Sequence, residues 1–396
     1  MTSLSRGGLC TALCAALLSW CGRPSPSADA QPRATSPSIT SAPSSSAGLY
    51  LAMAGSDARH TGRDARRGPS SEPSVLWRVR TQRRVFASPV LDAQDRAIFG
   101  SLDGHVLAVD RRGVVRWAFT APDRVFSSPA VVGSLTVFGH DGDRIVAVDD
   151  RGGERWSHAT PDDADGAPVV GPDGAVYFAS RELVALDREG NVRWHTTLQS
   201  HAFGAPALSP DGILYVPELS GAVSLYHASD GSAVRRVEIG APVYSGVLVL
   251  DDGSFVVGAL DGHVRSYTNE GAARWDFTTR GAREAPGVRS TPALTRDGVV
   301  VFGAEDGGIY GVRASDGTEA FRVATAYPVR GAARIDADGR IYIGGEDDTL
   351  RCLDSNGTVR WSVVLGADID GTPAILSDGT IVVGTDDGAL YALGAP

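Results

Sequence analysis

The sequence predicts an all-β fold: an eight-bladed β-propeller of four-stranded antiparallel blades, with the N-terminal strand closing the last blade. Three observations carry this. The phrase AVDRRGVVRW at residues 108–117 returns as AVDDRGGERW from Ala147, ALDREGNVRW from Ala185 and CLDSNGTVRW from Cys352. Aligned on the glycine before the tryptophan, equivalent positions fall at Trp77, Trp117, Trp156, Trp194, Arg235, Trp275, Phe321 and Trp361. Their period is about forty residues, and without a helical pattern such a period marks a β-repeat architecture. Finally, each copy divides into four short apolar segments parted by Asp-Gly or Gly-rich turns, in the second copy VVRWAF, SSPAVVG, LTVFG and RIVAVD. Those are the strands and tight hairpins of one blade.

The series is cut out of phase. It begins with VLWRVR alone and ends at ALYALGAP without a following Trp strand. The strand around Trp77 therefore completes the last blade, in one domain spanning 73–396. Closure hides most strand edges, which an open sheet of this size would leave exposed. Within AVDRRGVVRW, alternating Val and Ala fill the buried face, Asp110 and Gly113 shape the turn, and Trp117 wedges between blades. The repeated residues serve packing, so binding is sought where the copies differ.

Residues 1–30 read as an export signal: Arg6, the apolar run GLCTALCAALLSWC, then a polar stretch ending in Ala-Asp-Ala at Ala30. The run is too short to span a membrane as a helix. Two processing routes stay open, cleavage after Ala30 or lipidation of Cys21 within LLSWC, where Trp20 departs from the small residue of a lipobox. Residues 31–48, rich in Ser, Pro and Ala, form a disordered tether, and 49–72 a pre-propeller segment. Three of the four cysteines, Cys10, Cys14 and Cys21, lie in the leader. Cys352 is left unpaired, as a small buried hydrophobe.

All 37 basic residues counted as Lys or Arg are arginines. Schiff-base chemistry, a phosphate-loop lysine and a lysine general base are excluded. The net charge of -10 disfavours a nucleic-acid partner, whose affinity needs a basic surface. No nucleophile-elbow or HExxH pattern occurs, which lowers the enzyme reading.

The pattern Ala-x-Asp…Gly…Trp is followed by small-small-Pro at Ala87, Ser127, Gly166, Gly204, Ser290 and Gly371. It resembles the pyrroloquinoline-quinone-type (PQQ-like) β-propeller repeat over residues 73–396. MAGSDARHTG, Met53–Gly62, is similar to the segment that precedes the propeller in exported members, and Asp57 and His60 there are expected to cap a turn against the ring. The resemblance implies one of two branches. The quinone-dependent alcohol and sugar dehydrogenases need a calcium site, a catalytic Asp and cations around the cofactor. They are longer, and the alcohol-oxidising members carry adjacent cysteines. With one cysteine in its propeller, no lysine and few insertions, this chain looks like the non-catalytic branch, which includes the propeller lipoprotein of the outer-membrane β-barrel assembly machinery. That branch implies no PQQ or other cofactor, envelope-protein partners, a monomer, and a place in the periplasm, on the outer membrane or secreted.

The position nine residues after each aligned Trp position, counted past the five-residue insertion in the case of Arg289, should face the mouth of the central channel: Phe86, Phe126, Asp165, Phe203, Tyr244, Arg289, Arg330 and Asp370. One arc is aromatic and the other charged, suited to stacking a ring-shaped group and holding an anion on the arginines. The alternative is that Arg330 and Asp370 neutralise each other while the aromatics plug the channel. The loop after Trp275 is five residues longer than its equivalents and offers Arg280, Arg283 and Glu284 as contacts. Hairpin acids (Asp103, Asp141, Glu182, Glu218, Asp261, Asp306, Asp347, Asp387) would make a negative ring if they shared the mouth face. PDDADG at Pro161–Gly166 has calcium-like carboxylate spacing but lacks the closing Glu, so no metal site is assigned.

Overall fold

The computed structural model describes residues 49–281 and 287–395. After a short strand β1 (Leu51–Ala52) and the long β2 (Ser74–Arg80), the first complete blade is β3 (Val90–Leu91), β4 (Ala97–Gly100), β5 (His105–Val109) and β6 (Val115–Thr120). The four pair antiparallel in chain order from the channel outwards. Eight such sheets are present, and no helix occurs among the described residues. The four segments of the second repeat copy appear as Val115–Thr120, Ala130–Val132, Leu135–His140 and Arg144–Val148, but they do not make one blade: the first is the outer strand of the first complete blade and the other three are the inner strands of the next.

Burial explains the strand characters. The two middle strands of a blade are covered on both faces, so Ala97–Gly100 and Val106–Val109 are buried throughout. The outer strand alternates, with Trp117 buried between exposed neighbours in Val115–Thr120, because one face meets the next blade and the other meets water. Each outer strand opens with a one-residue register shift, as between Ala108 and Val109.

Ring closure falls where the out-of-phase repeat placed it. β2 pairs antiparallel with Ala389–Gly394, Trp77 opposite Ala392, and supplies the outer strand of the eighth blade. Five of the six ring tryptophans also bridge blades through the indole N–H, while that of Trp117 is buried without a partner. The Trp77 indole N–H donates to the Arg111 carbonyl at 2.8 Å, Trp156 to Arg188 at 2.8 Å and Trp275 to Ala314 at 2.9 Å. At the seam there is no continuous turn to receive Trp361, and the pre-propeller segment substitutes: Pro69 offers its carbonyl at 3.1 Å.

That segment runs beneath the ring. β1 adds to the inner strand of the second blade. The chain then passes under the following blades, taking hydrogen bonds from the amides of Leu208, Val249, Leu294 and Ile335 on the carbonyls of Ala58, Arg59, Thr61 and Gly62. Asp57 organises this turn through the Arg59 and Thr61 amides and the Thr61 hydroxyl. His60 is buried, its Nδ1 3.1 Å from the Val247 carbonyl oxygen.

Candidate functional site

The innermost strands converge, and the eight mouth residues predicted from the repeat line one cavity of about 310 Å³ at the channel mouth. Below it a space of about 200 Å³ shares Phe86, Phe126, Asp165, Phe203 and Tyr244 as walls and ends on Met53, Ala54, Gly55, His60 and Gly62. The pre-propeller segment thus makes the channel a blind funnel that opens on the loop face.

Phe86 and Phe126 meet edge to face at 5.8 Å, Phe203 and Tyr244 lie 5.1 Å apart, and the Arg289 guanidinium sits 4.7 Å over the Tyr244 ring. The aromatic arc is a packed half-collar, with Phe86 the most open member at 39 % exposure. The charged arc departs from both readings offered by sequence. Arg330 donates to Glu305 through Nε at 2.8 Å and Nη2 at 3.0 Å and also pairs with Glu346, while Arg289 donates to Glu305 at 2.9 Å. Both guanidiniums are already engaged by carboxylates, which leaves them poorly placed to hold an anion. Arg330 and Asp370 make no direct ion pair: Glu305 offers Arg330 a two-point fork, a better fit to its planar geometry.

Glu305 and Glu346 were not among the residues singled out from sequence. They belong to a second ring, one residue before the hairpin acid, with Leu102, Leu260 and Asp386. The amides there bond to the loop of the preceding blade: Leu102 to Arg84, Leu260 to Pro242, Glu305 to Gly287, Glu346 to Pro328 and Asp386 to Asp368. The signal was present as a side chain that differs between copies immediately before a constant acid. Three blades also shift the expected hairpin acids, Glu182 lying past the turn as the first residue of its strand, Glu182–Leu186. Asp141 occupies this second ring, because its turn places Asp143 at positive φ where the first blade has Gly104. Glu218 ends its strand fully buried, against Ser224 and Arg236. The turn acids on the mouth face are tied into local pairs, Asp103 to the Gln82 and His105 amides, Asp261 to Arg265 and Asp347 to Arg351. They do not form a free negative ring.

Burial and acidic neighbours act on the two ring carboxyls. Asp370 is pushed up to about 7, first by burial and then by Asp386 and Glu346; its Oδ1 accepts no hydrogen bond. Burial also raises Asp165, to about 7, reinforced by the neighbouring Asp141 and Asp163 carboxyls. Cys352 is buried and its thiol is pushed up to about 12 by burial, which makes it inert.

Of the long-loop residues, Arg280 donates from its amide to the Tyr310 hydroxyl and from its guanidinium to Glu319, both at 3.0 Å. Arg283, Glu284 and Cys21 lie outside the described residues. In PDDADG, Asp162 and Asp163 approach Asp143 with carboxylate oxygens within 4.8 Å of one another, and Arg181 engages Asp162 at 2.6 Å.

Eight closed four-stranded blades around a funnel define the protein as a PQQ-type β-propeller. Comparison with known proteins places it further: the chain belongs to the family described as outer membrane protein assembly factor BamB, whose model matches residues 71–209, 180–336 and 322–395. No curated protein sequence matches it significantly. Among solved structures it is similar to BamB from Moraxella catarrhalis, with 16% identity over 81% of this chain and 99% of that one and a TM-score of 0.67. It is also similar to a europium-containing methanol dehydrogenase, at 13% identity, 88% and 98% coverage and a TM-score of 0.73. A computationally designed protein, Ika8, matches at 17% identity, 81% and 99% coverage and a TM-score of 0.67. At these identities the likeness is one of fold.

The dehydrogenase relatives raise the question of the quinone. PQQ is a planar tricarboxylate. Here the two arginines facing the cavity are bound by Glu305, and Asp165 and Asp370 add carboxyls to the same wall. Among the described residues no uncommitted cation is left on this wall to hold three carboxylates. The carboxylates close enough to share a metal among the described residues, Asp143, Asp162 and Asp163, include no wall residue of the cavity. The ring does not fit the quinone–metal pair.

Proposed function

We propose that the protein is an exported, non-catalytic scaffold of the bacterial cell envelope that binds envelope proteins through the loop face around the funnel mouth. The match to the BamB family over nearly the whole propeller supports this most directly. The contact surface on this reading is the rim formed by the eight channel-mouth residues, with Arg280, Arg283 and Glu284 of the long loop, because loops joining rigid elements carry recognition. Anchoring by a lipid on Cys21 holds it at the outer membrane; cleavage behind Ala30 releases it. A part in outer-membrane β-barrel assembly is the narrower form of the same reading, favoured by the likeness to the Moraxella protein.

The test is photocrosslinking from Tyr327, 60 % exposed on the loop face, in the native host, together with intact mass of the mature chain. Crosslinks to envelope proteins that are lost when residues 279–288 are shortened support the scaffold. Normal outer-membrane protein levels in a deletion strain remove the assembly role. A diacyl or triacyl mass on Cys21 separates the anchored from the released form.

A further inference from the structure

The segment beneath the ring caps four successive inner strands in the same way. The last residue of each, Leu208, Val249, Leu294 and Ile335, donates its amide to a segment carbonyl. At the next two strands round the ring, ending at Ile375 and Leu91, no segment carbonyl is bonded in this way among the described residues, and a cavity of about 340 Å³ opens beside Leu91 and Ala374.

The walls of this cavity are cationic. Arg63, Arg66 and Arg334 line it, against the single carboxylate of Asp64. Arg334 is 3 % exposed and donates to the carbonyls of Pro373 at 2.8 Å and Ala54 at 3.0 Å. Arg63 likewise donates to Leu294 at 2.7 Å and Thr295 at 2.6 Å. Carbonyls satisfy the hydrogen bonds of a guanidinium without cancelling its charge, and a buried uncompensated charge is costly. Burial accordingly pulls Arg334 below the usual arginine range, with Asp64 and Asp57 acting against it. Asp64 is held by Arg66, 3.7 Å away, and by the Arg66 amide at 2.9 Å. The Ser56 hydroxyl, also on the wall, is buried without a partner.

We propose that this cavity is a binding site for an oxyanion group, a phosphate or a carboxylate, held by Arg334 and Arg66 with the Ser56 hydroxyl. The anion stands where the segment's carbonyls stand under the neighbouring blades and supplies the negative charge that Arg334 lacks. Guanidinium forks and a hydroxyl suit a planar or tetrahedral oxyanion. Leu51, Met53 and Val90 on the same wall leave room for a small apolar body attached to it. The cavity lies on the face away from the funnel mouth, and its chemistry stands apart from the scaffold role.

The experiment titrates inorganic phosphate into the mature chain at constant ionic strength, following phosphorus-31 line width and the thermal midpoint. The expected result is saturable broadening and a rising midpoint that matched chloride does not reproduce. Arg66→Gln should weaken phosphate binding about tenfold while leaving the phosphate-free midpoint close to that of the parent. Arg334→Met should abolish binding, but because Arg334 also holds the segment, Arg66→Gln is the deciding variant. Displacement of phosphate by acetate extends the site to carboxylates, and failure to displace restricts it to phosphates. Equal shifts in chloride and phosphate, or unchanged phosphate affinity in Arg66→Gln, overturn the assignment.

Discussion

Arg330 and Asp370 are neighbours around the funnel mouth, yet the guanidinium clasps Glu305 at 2.8 and 3.0 Å and leaves Asp370 Oδ1 without a donor. The carboxyl is therefore held against its own ionisation, at about 7 rather than the ordinary 3.8. In the folded state it keeps its proton where the unfolded chain has lost it. Stability must then fall as pH rises from the unfolded to the folded value, and level off above.

Asp370→Asn should remove that fall. With allowance for water at the mouth, the variant should gain about 1–2 kcal/mol over the parent at pH 8 and little at pH 4. Urea unfolding of both proteins at the two pH values measures it. Parallel pH profiles would mean that Asp370 is ionised in the folded protein.

Glu305 neutralises two arginines at once, with its own side chain 12 % exposed and theirs 37 and 40 %. Glu305→Gln should cost about 1–2 kcal/mol, less than a fully buried pair because both arginines reach water. Adding Arg330→Gln should recover part of the loss, and a double-mutant cycle by denaturant unfolding reads the coupling. Full additivity would show that Arg330 re-pairs with Glu346 unaided.

Two glycines with the same backbone separate strain from packing. Gly190 has φ +85° and an added Cβ would lie 2.5 Å from Trp156 Cγ; Gly212 has φ +82° and open space. Gly212→Ala should cost about 1–2 kcal/mol, the left-handed penalty alone. Gly190→Ala should cost at least about 1 kcal/mol more, because it pushes the tryptophan off the neighbouring blade. Equal thermal midpoints for the two variants would refute the wedge role of the tryptophan.

His60 works in the opposite pH direction from Asp370. Burial lowers its pKa from 6.5 despite Asp57 and the Val247 carbonyl. It is neutral in the folded protein, so its contribution is present above the unfolded value and lost as pH falls below it. His60→Gln should flatten the acid side of the stability profile and cost about 1–3 kcal/mol at pH 8 through the lost fit to Val247. Unfolding midpoints between pH 5 and 8 test both parts.

Periodicity determined the fold. A repeat near forty residues, cut out of phase at both ends, is enough to give eight blades and the strand exchange at Trp77, because each blade is written locally in alternating apolar positions and tight turns. The same local logic located the eight mouth residues, since a fixed offset from the aligned tryptophan position, with the insertion before Arg289 discounted, brings equivalent positions to one ring. Pairing within the ring was not legible, because it depends on contacts across blades: Glu305 reaches Arg330 over 25 residues, and nothing in the spacing distinguishes it from Asp370 as a partner. The seam is similar, with Trp361 received by Pro69 over 292 residues. The floor of the funnel and the cationic cavity beneath it also arise only when the leading segment is threaded under the ring, where tertiary geometry decides which amides meet a carbonyl and which do not.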